Sequence, residues 1–447
     1  MSKKPKIDES RRRFLLTSGT LGGTAAIGGL GLLLKAAPAE AEVRIKRAPP
    51  LDDKMLPFYG QWQGGIITPG LQQGFSYFTA LDVHATTRQE LVRLFQDWTH
   101  AAERLTRGQF AVAQPGSLNS PDINTEELLG LHPARLTLTF GFGPEFFQQD
   151  GKDRFGLASQ RPAALVDTPK FPGDQIKKGW FGGALSVQAQ SDDPQVAFNA
   201  IRELVALSKG LVDFRWMASG FLPSYLTTGE DRDHGGITRD LLGFNDGIVN
   251  PRTPELQKQW VWVGDEGPEW MRNGSYQLFQ RMQMDLRHWD QMPVNFQEKA
   301  IGRHKYSSAP LGEKNQYQPD GHLTPMDFKA KNADGELVIP FNAHARLGSP
   351  DENQGVHILR RSYNYCHGVS YEAERWPPWH QGMFYDGGLD FISYQQDPRN
   401  SFIPMYARMD RIDAMISQFI MVHGRGLFAC PGGISKGQYI GQKLLES

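Results

Sequence analysis

From about Gln61 the chain alternates stretches of two-residue periodicity with stretches of helical spacing. Phe75, Tyr77, Thr79, Leu81 and Val83 recur at every second position, which predicts a strand with those side chains on one face. From Thr87 to Leu105 the spacing changes. Leu91, Leu94, Phe95, Trp98, Ala101, Ala102 and Leu105 fall on one helical stripe, and Thr87 with Glu90 has the form of a capping box. A second strand, Leu136 to Phe140, runs into GFGPEFF, whose glycines and proline break it. A third unit couples a strand over 184–189 to a helix opening at Asp193-Pro194, passing through Ile201, Leu204 and Val205 to Lys209 and stopping at Gly210.

The second half repeats the theme less cleanly. Asp390 to Tyr394 reads as a strand, followed after Pro398 by a helical pattern around Met409 to Ile420. Between the halves lie a Trp-, Met- and Arg-rich segment, Trp260 to Lys305, and a polar stretch, Ser307 to Gly335, that reads as loop. Strands alternating with amphipathic helices predict an α+β fold, here as two units joined near 230–245. At 447 residues, two domains are the ordinary expectation.

The first forty residues differ in kind. A basic start is followed by an apolar run from Phe14 to Leu34 diluted by Gly, Ser and Thr, and then by Ala39-Glu40-Ala41. This is the layout of a cleavable export signal, and Ser10-Arg11-Arg12-Arg13-Phe14-Leu15 resembles the twin-arginine type. A membrane anchor is the competing reading, since the run is just long enough to span, but its glycines and hydroxyls argue against a stable span. Residues 1–41 are therefore expected to be removed, near Ala41, after export to a periplasmic or other extracytoplasmic compartment. Twin-arginine export carries folded proteins, so a cofactor can be inserted beforehand.

Charge adds an exclusion. With 48 Lys+Arg against 49 Asp+Glu, the formal net charge of −1 gives no footprint for nucleic acid or an anionic membrane. Only Cys366 and Cys430 occur. They could pair or remain separate thiols, but they are too few for a four-cysteine iron–sulfur cluster or a cysteine-rich zinc site, and no CxxCH haem attachment exists.

Three segments in the second half carry candidate chemistry. GFNDGIVNP, residues 243–251, sets Asp246 before Gly247 in a turn-rich stretch. It reads either as an ordinary Asn-Asp-Gly turn or as a backbone brought close to a bound group with a carboxylate aimed at it. His344 stands in FNAHARLGSP, and Arg360-Arg361 in HILRRSYNY. Singly, each has a plain structural explanation.

Together these segments resemble the dye-decolorizing (DyP-type) haem peroxidases. GFNDGIVNP is similar to that family's GxxDG motif, with His344 and Arg360 following in the same order. YGQWQGGIITP, LTLTFGFGPEFF, VWVGDEGPEWMRNGSY, IGRHKYSSAPLG and FISYQQDP agree, so the resemblance covers nearly everything after Gly60. Within the family the chain is most similar to the exported EfeB-like deferrochelatase/peroxidases of bacterial iron uptake.

The resemblance implies two ferredoxin-like modules of the dimeric α+β barrel type, over 55–235 and 236–447, with one non-covalent haem b per chain in the C-terminal module. It makes His344 the axial ligand of the haem iron, with Asp397 its expected carboxylate partner and Asp390 the competitor. Asp246 becomes the acid–base residue and Arg360 the distal cation, suited to that role by its permanent charge and fixed fork of donors. Gly247 would bring backbone close to the haem, while Arg346, Arg361 and Arg303 compete to neutralise its propionates. Ala345 and Gly348-Ser349 depart from the family's bulkier proximal loop. A shuttle built on Asp rather than His favours acid conditions, since an ordinary Asp titrates near ~4.

The implied reaction uses hydrogen peroxide to oxidise phenolic, dye-like or ferrous substrates in one-electron steps. Ferrous-iron uptake components are the implied protein partners, and a homodimer is compatible with the family. A second reading is a haem-handling deferrochelatase with peroxidase turnover as a side property. A third has the His- and Met-rich stretches binding copper or iron directly.

Overall fold

The computed structural model describes residues 55–112, 130–223, 238–317, 320–373 and 381–447; the expected export signal lies outside them. The described residues belong to one compact unit from Ala48 to Ser447. The strands are β1 (Phe75–Val83), β2 (Thr137–Phe142), β3 (Leu185–Ser191), β4 (Val212–Phe221), β5 (Thr238–Arg239), β6 (Asn245–Asp246), β7 (Ser275–Met284), β8 (Leu359–Arg360), β9 (Tyr363–Ala373), β10 (Gln381–Gln395) and β11 (Ile420–Cys430).

Nine of them form one sheet in the order β7-β11-β2-β3-β1-β4-β9-β10-β8, and β7 also pairs with β10, so eight strands close into a barrel. Its two halves share one plan. The N-terminal strands run β2-β3-β1-β4 and the C-terminal ones β9-β10-β7-β11: numbered within each half, both read 2-3-1-4. That repeated ferredoxin-like order agrees with the expected α+β architecture. In each half the first and third strands lead into helices: Arg88–Leu105 and Pro194–Leu207 in one, Leu286–Gln291 with Val294–Ile301 and then Phe402–Ile412 in the other.

The halves meet through single register pairs, Phe221↔Asn364 and Ala429↔Phe142. Gly220 permits the first of these seams, because a Cβ there would lie 2.5 Å from that of Tyr363. Closure gives the sheet an inner face inside the barrel and an outer face that helices cover in part, with Phe214 of β4 and Val369 of β9 left exposed. On β1, Leu81 and Val83 pack outward against helices while Phe78 and Ala80 fill the barrel with Trp216, Phe279, Ile392 and Phe428.

The local expectations hold with adjusted ends. Thr87 and Glu90 make both bonds of the capping box. Asp193 caps Pro194–Leu207, and Lys209 and Gly210 take positive φ beyond its end. The strand from Thr137 continues through Gly141 to Phe142 before the short helix Pro144–Phe147. The helical pattern around Met409 to Ile420 is not one helix: Phe402–Ile412 stops at Asp413, and Ile416–Phe419 restarts after it. Cys366 is exposed and Cys430 buried, and neither is in a disulfide.

Candidate active site

Strand alternation sends Gln280, Met282 and Met284 of β7 outward, and Leu389 and Phe391 of β10 likewise. Met405, Tyr406 and Met409 of helix Phe402–Ile412 face them. These side chains enclose a largely apolar cavity of about 1250 Å³, counting its mouth.

One wall carries His344, the first residue of the short helix His344–Leu347. Its Nδ1 lies 2.8 Å from Oδ2 of Asp413, whose side chain is fully buried. Asp413 Oδ1 accepts the backbone N–H groups of Met415 and Ile416, each at 2.9 Å, capping the helix that follows. Ala414 N also donates to Asn342 O at 3.0 Å, tying the histidine loop to this turn. The imidazole is thus fixed through Nδ1, and Nε2 is the nitrogen left to bind an iron.

Another wall carries Asp246 and Arg360. Arg360 Nη2 lies 2.5 Å from Asp246 Oδ1, which also accepts the Gly247 N–H at 2.7 Å. Asp246 Oδ2 has no protein partner among the described residues. Gly247 takes φ +73°, which only glycine adopts without strain, and a Cβ there would approach Asn250 Nδ2 to 3.1 Å. Asn250 in turn clamps Arg360: its Nδ2 donates to Arg360 O at 2.8 Å and its Oδ1 accepts Arg360 N–H at 2.9 Å. The turn reading of GFNDGIVNP holds, and the same turn sets the Asp246 carboxylate on the cavity wall.

Asp240 lines the same cavity. Its Oδ1 accepts the N–H groups of Leu242 and Phe244 at 3.0 and 3.1 Å. Burial pushes its carboxyl up to about 6, and the neighbouring charge of Asp246 adds to the rise.

Other expectations need correction. Asp397 is not the partner of His344: it is held by Arg399, with Nη2 to Oδ2 at 2.7 Å, beyond the end of β10. Asp390 is not the partner either. It points into the barrel, pairs with Arg281 at 3.1 Å, and is pushed up to about 7 by burial. Arg346 does not line the cavity, because its guanidinium is engaged by Glu352 at 2.9 Å and by Phe328 O at 3.1 Å. Arg361 also faces elsewhere, since it follows Arg360 along an extended chain and projects to the opposite side, reaching Pro69 O at 3.1 Å. Arg303 does line the cavity, donates to Ser308 O at 2.7 Å, and has its pKa lowered to about 10 by burial. Ala345 and Gly348, the departures in the proximal loop, form part of the wall. Sequence reasoning missed Asp413, Asn250 and Asp240. Of these, Asp413 left a signal: an Asp two residues before an apolar run is a helix N-cap.

The Dyp-type peroxidase N-terminal family model matches residues 63–222, and the C-terminal one matches 237–435. The chain belongs to the Dyp-type peroxidase family. It is 32% identical to a dye-decolorizing peroxidase of Thermobifida fusca, over 98% of this chain and 97% of that one. To a deferrochelatase of Yersinia pestis it is 31% identical, over 99% of this chain and 96% of the relative. The crystal structure of a DyP-type peroxidase from Streptomyces coelicolor superposes with a TM-score of 0.77 at 35% identity, covering 89% of this chain and 98% of that one. As a Dyp-type peroxidase, the protein is a haem-dependent enzyme acting on hydrogen peroxide and a reducing substrate. The cavity fits that group: its walls are largely apolar, His344 on its wall is held through Nδ1 with Nε2 left over, and Arg360 Nε is buried there without a partner among the described residues.

Proposed function

We propose that this Dyp-type peroxidase holds one non-covalent haem b in the C-terminal cavity, with His344 as axial ligand and Asp413 as the carboxylate that orients it. The supporting observation is that one apolar cavity is bordered by both the His344–Asp413 and the Asp246–Arg360 pairs. Haem, when bound, supplies the electrons that cleave the O–O bond and the one-electron oxidising steps that follow. Asp246 takes a proton from one oxygen of hydrogen peroxide and returns it to the other, with Oδ2 as its free oxygen, while Arg360 offsets the charge that develops. Arg303 is the cation on the cavity wall suited to a propionate. In sum, one peroxide and two phenols give two waters and two phenoxyl radicals.

The division into modules over 55–235 and 236–447 is supported by the repeated strand order. Twin-arginine export and a place in iron uptake rest on the leader and on the deferrochelatase relatives. Those relatives also favour a second reading, in which iron is released from haem and peroxidase turnover is secondary.

The test is substitution with haem content monitored. Asp246→Asn and Arg360→Ala are expected to keep an intense Soret band while lowering peroxide turnover by about 10²–10⁴. His344→Ala is expected to lose or shift that band. Full turnover in Asp246→Asn would overturn the acid–base assignment, and release of metal-free porphyrin from added haem would favour the second reading.

A further inference from the structure

Arg361 poses a question that the haem cavity does not answer. Its side chain is 5% exposed, yet no carboxylate pairs with it among the described residues. Its Nη groups reach only Pro69 O and Gln73 Oε1, and its Nε is buried without a partner. Burial lowers its pKa, and the nearby Arg135 adds to that. A desolvated guanidinium with only neutral acceptors leaves much of its charge uncompensated.

Arg361 borders a second cavity, about 1080 Å³ counting its mouth, which shares Asp246, Gly247 and Arg360 with the haem cavity. Arg252 stands at its rim, donating to Gly247 O at 3.3 Å. Arg252, Arg360 and Arg361 line this space together with Asp246, which Arg360 engages. Ile67, Leu71 and Leu359 supply apolar wall, and Gln72 and Gln257 supply amide groups.

We infer that this second cavity is the docking site for a small reducing substrate that carries a carboxylate, with Arg361 and Arg252 receiving the anion. The inference rests on the peroxidase reading and adds the charge class of the reductant. The aromatic part of a phenolic carboxylate lies against the apolar wall, beside the Asp246–Arg360 pair.

The test compares 4-hydroxybenzoate with its neutral isostere 4-hydroxybenzamide on the haem-loaded protein. Calorimetry without peroxide is expected to show the benzoate binding at least tenfold more tightly. Arg361→Gln should erase that preference, and so should Arg252→Gln, which changes an exposed side chain and keeps the test valid if Arg361→Gln does not fold. Arg252→Lys should restore part of it. The ratio of kcat/KM for benzoate over benzamide should fall about tenfold in parallel, the equivalent of about 1.4 kcal/mol. Equal binding of the two ligands by the wild-type protein would overturn the inference while leaving the peroxidase reading intact. Loss of haem affinity in Arg361→Gln, with the benzoate preference retained, would also overturn it and return Arg361 to the propionates. Absence of a Soret band after haem loading would instead defeat the peroxidase reading.

Discussion

The two halves of the barrel share a strand order and the same placement of helices, and differ in what lies between sheet and helix. In the N-terminal half, Leu94, Phe95 and Trp98 of helix Arg88–Leu105 and Ile201 and Leu204 of Pro194–Leu207 meet Leu138, Phe140 and Val187 of the sheet directly. Trp98 is wholly buried, and its Nε1 donates to Leu204 O at 2.8 Å. In the C-terminal half, the corresponding helix Phe402–Ile412 presents Met405 and Met409, and the sheet presents Met282 and Leu389, across a cavity. One architecture is filled by its own side chains in one copy and left hollow in the other. Irregular segments, the turn at 243–251 and the loop at 341–349, place Asp246 and His344 on the wall of the hollow copy.

The largest expected effect tests that contrast by truncation. Trp98→Ala should cost about 3–5 kcal/mol, because it opens a void in close packing. Met409→Ala in haem-free protein should cost about 1 kcal/mol or less, since its side chain already borders empty space and loses few contacts. Urea unfolding of both variants without haem measures the difference. Equal costs would mean that the C-terminal cavity collapses when empty, and the comparison would fail.

A smaller effect is expected at the His344–Asp413 pair, the proposed iron-binding pair of the hollow half. Asp413→Asn keeps an oxygen to accept the Met415 and Ile416 N–H groups but weakens the charge facing His344 Nδ1. Peroxide turnover should drop by about 10–100-fold with haem still bound. A Raman band for the iron–histidine stretch should move to lower frequency; an unmoved band with reduced turnover would make Asp413 merely structural.

Legibility in the sequence follows the same divide. The filled half could be read almost completely, because Thr87, Glu90, Asp193 and the apolar stripes act over a few residues. Burial of Phe78 and Ala80 could not be read, since it depends on closure of the barrel against Trp216, Phe279 and Phe428. In the hollow half, the resemblance located Asp246, His344 and Arg360, but not how they are held. Asp413 lies 69 residues from His344, and only the break after helix Phe402–Ile412 brings it back. Asp397 was the choice suggested by position after a strand, and its own neighbour Arg399 takes it. Arg360 and Arg361 are adjacent in sequence, yet only Arg360 lines the haem cavity, while both border the second one.

The smallest expected effect concerns Asp240, whose carboxyl lies on the wall of the cavity in the hollow half. Its pKa is pushed up to about 6 by burial first and by Asp246 second, against an unfolded value near ~4. The folded state therefore holds this proton more tightly than the unfolded state. Its contribution is fully present below pH ~4 and is lost as pH rises through about 6. Partial solvent contact reduces the size of the change to on the order of 1–2 kcal/mol. Asp240→Asn keeps the Oδ1 acceptor for Leu242 and Phe244 but removes the titration. Denaturant midpoints at pH 4.5 and pH 7 should then differ less in Asp240→Asn than in the wild-type protein. The same difference in both would show that burial in the hollow half does not perturb this carboxyl, and that the cavity is wetter than its apolar walls imply.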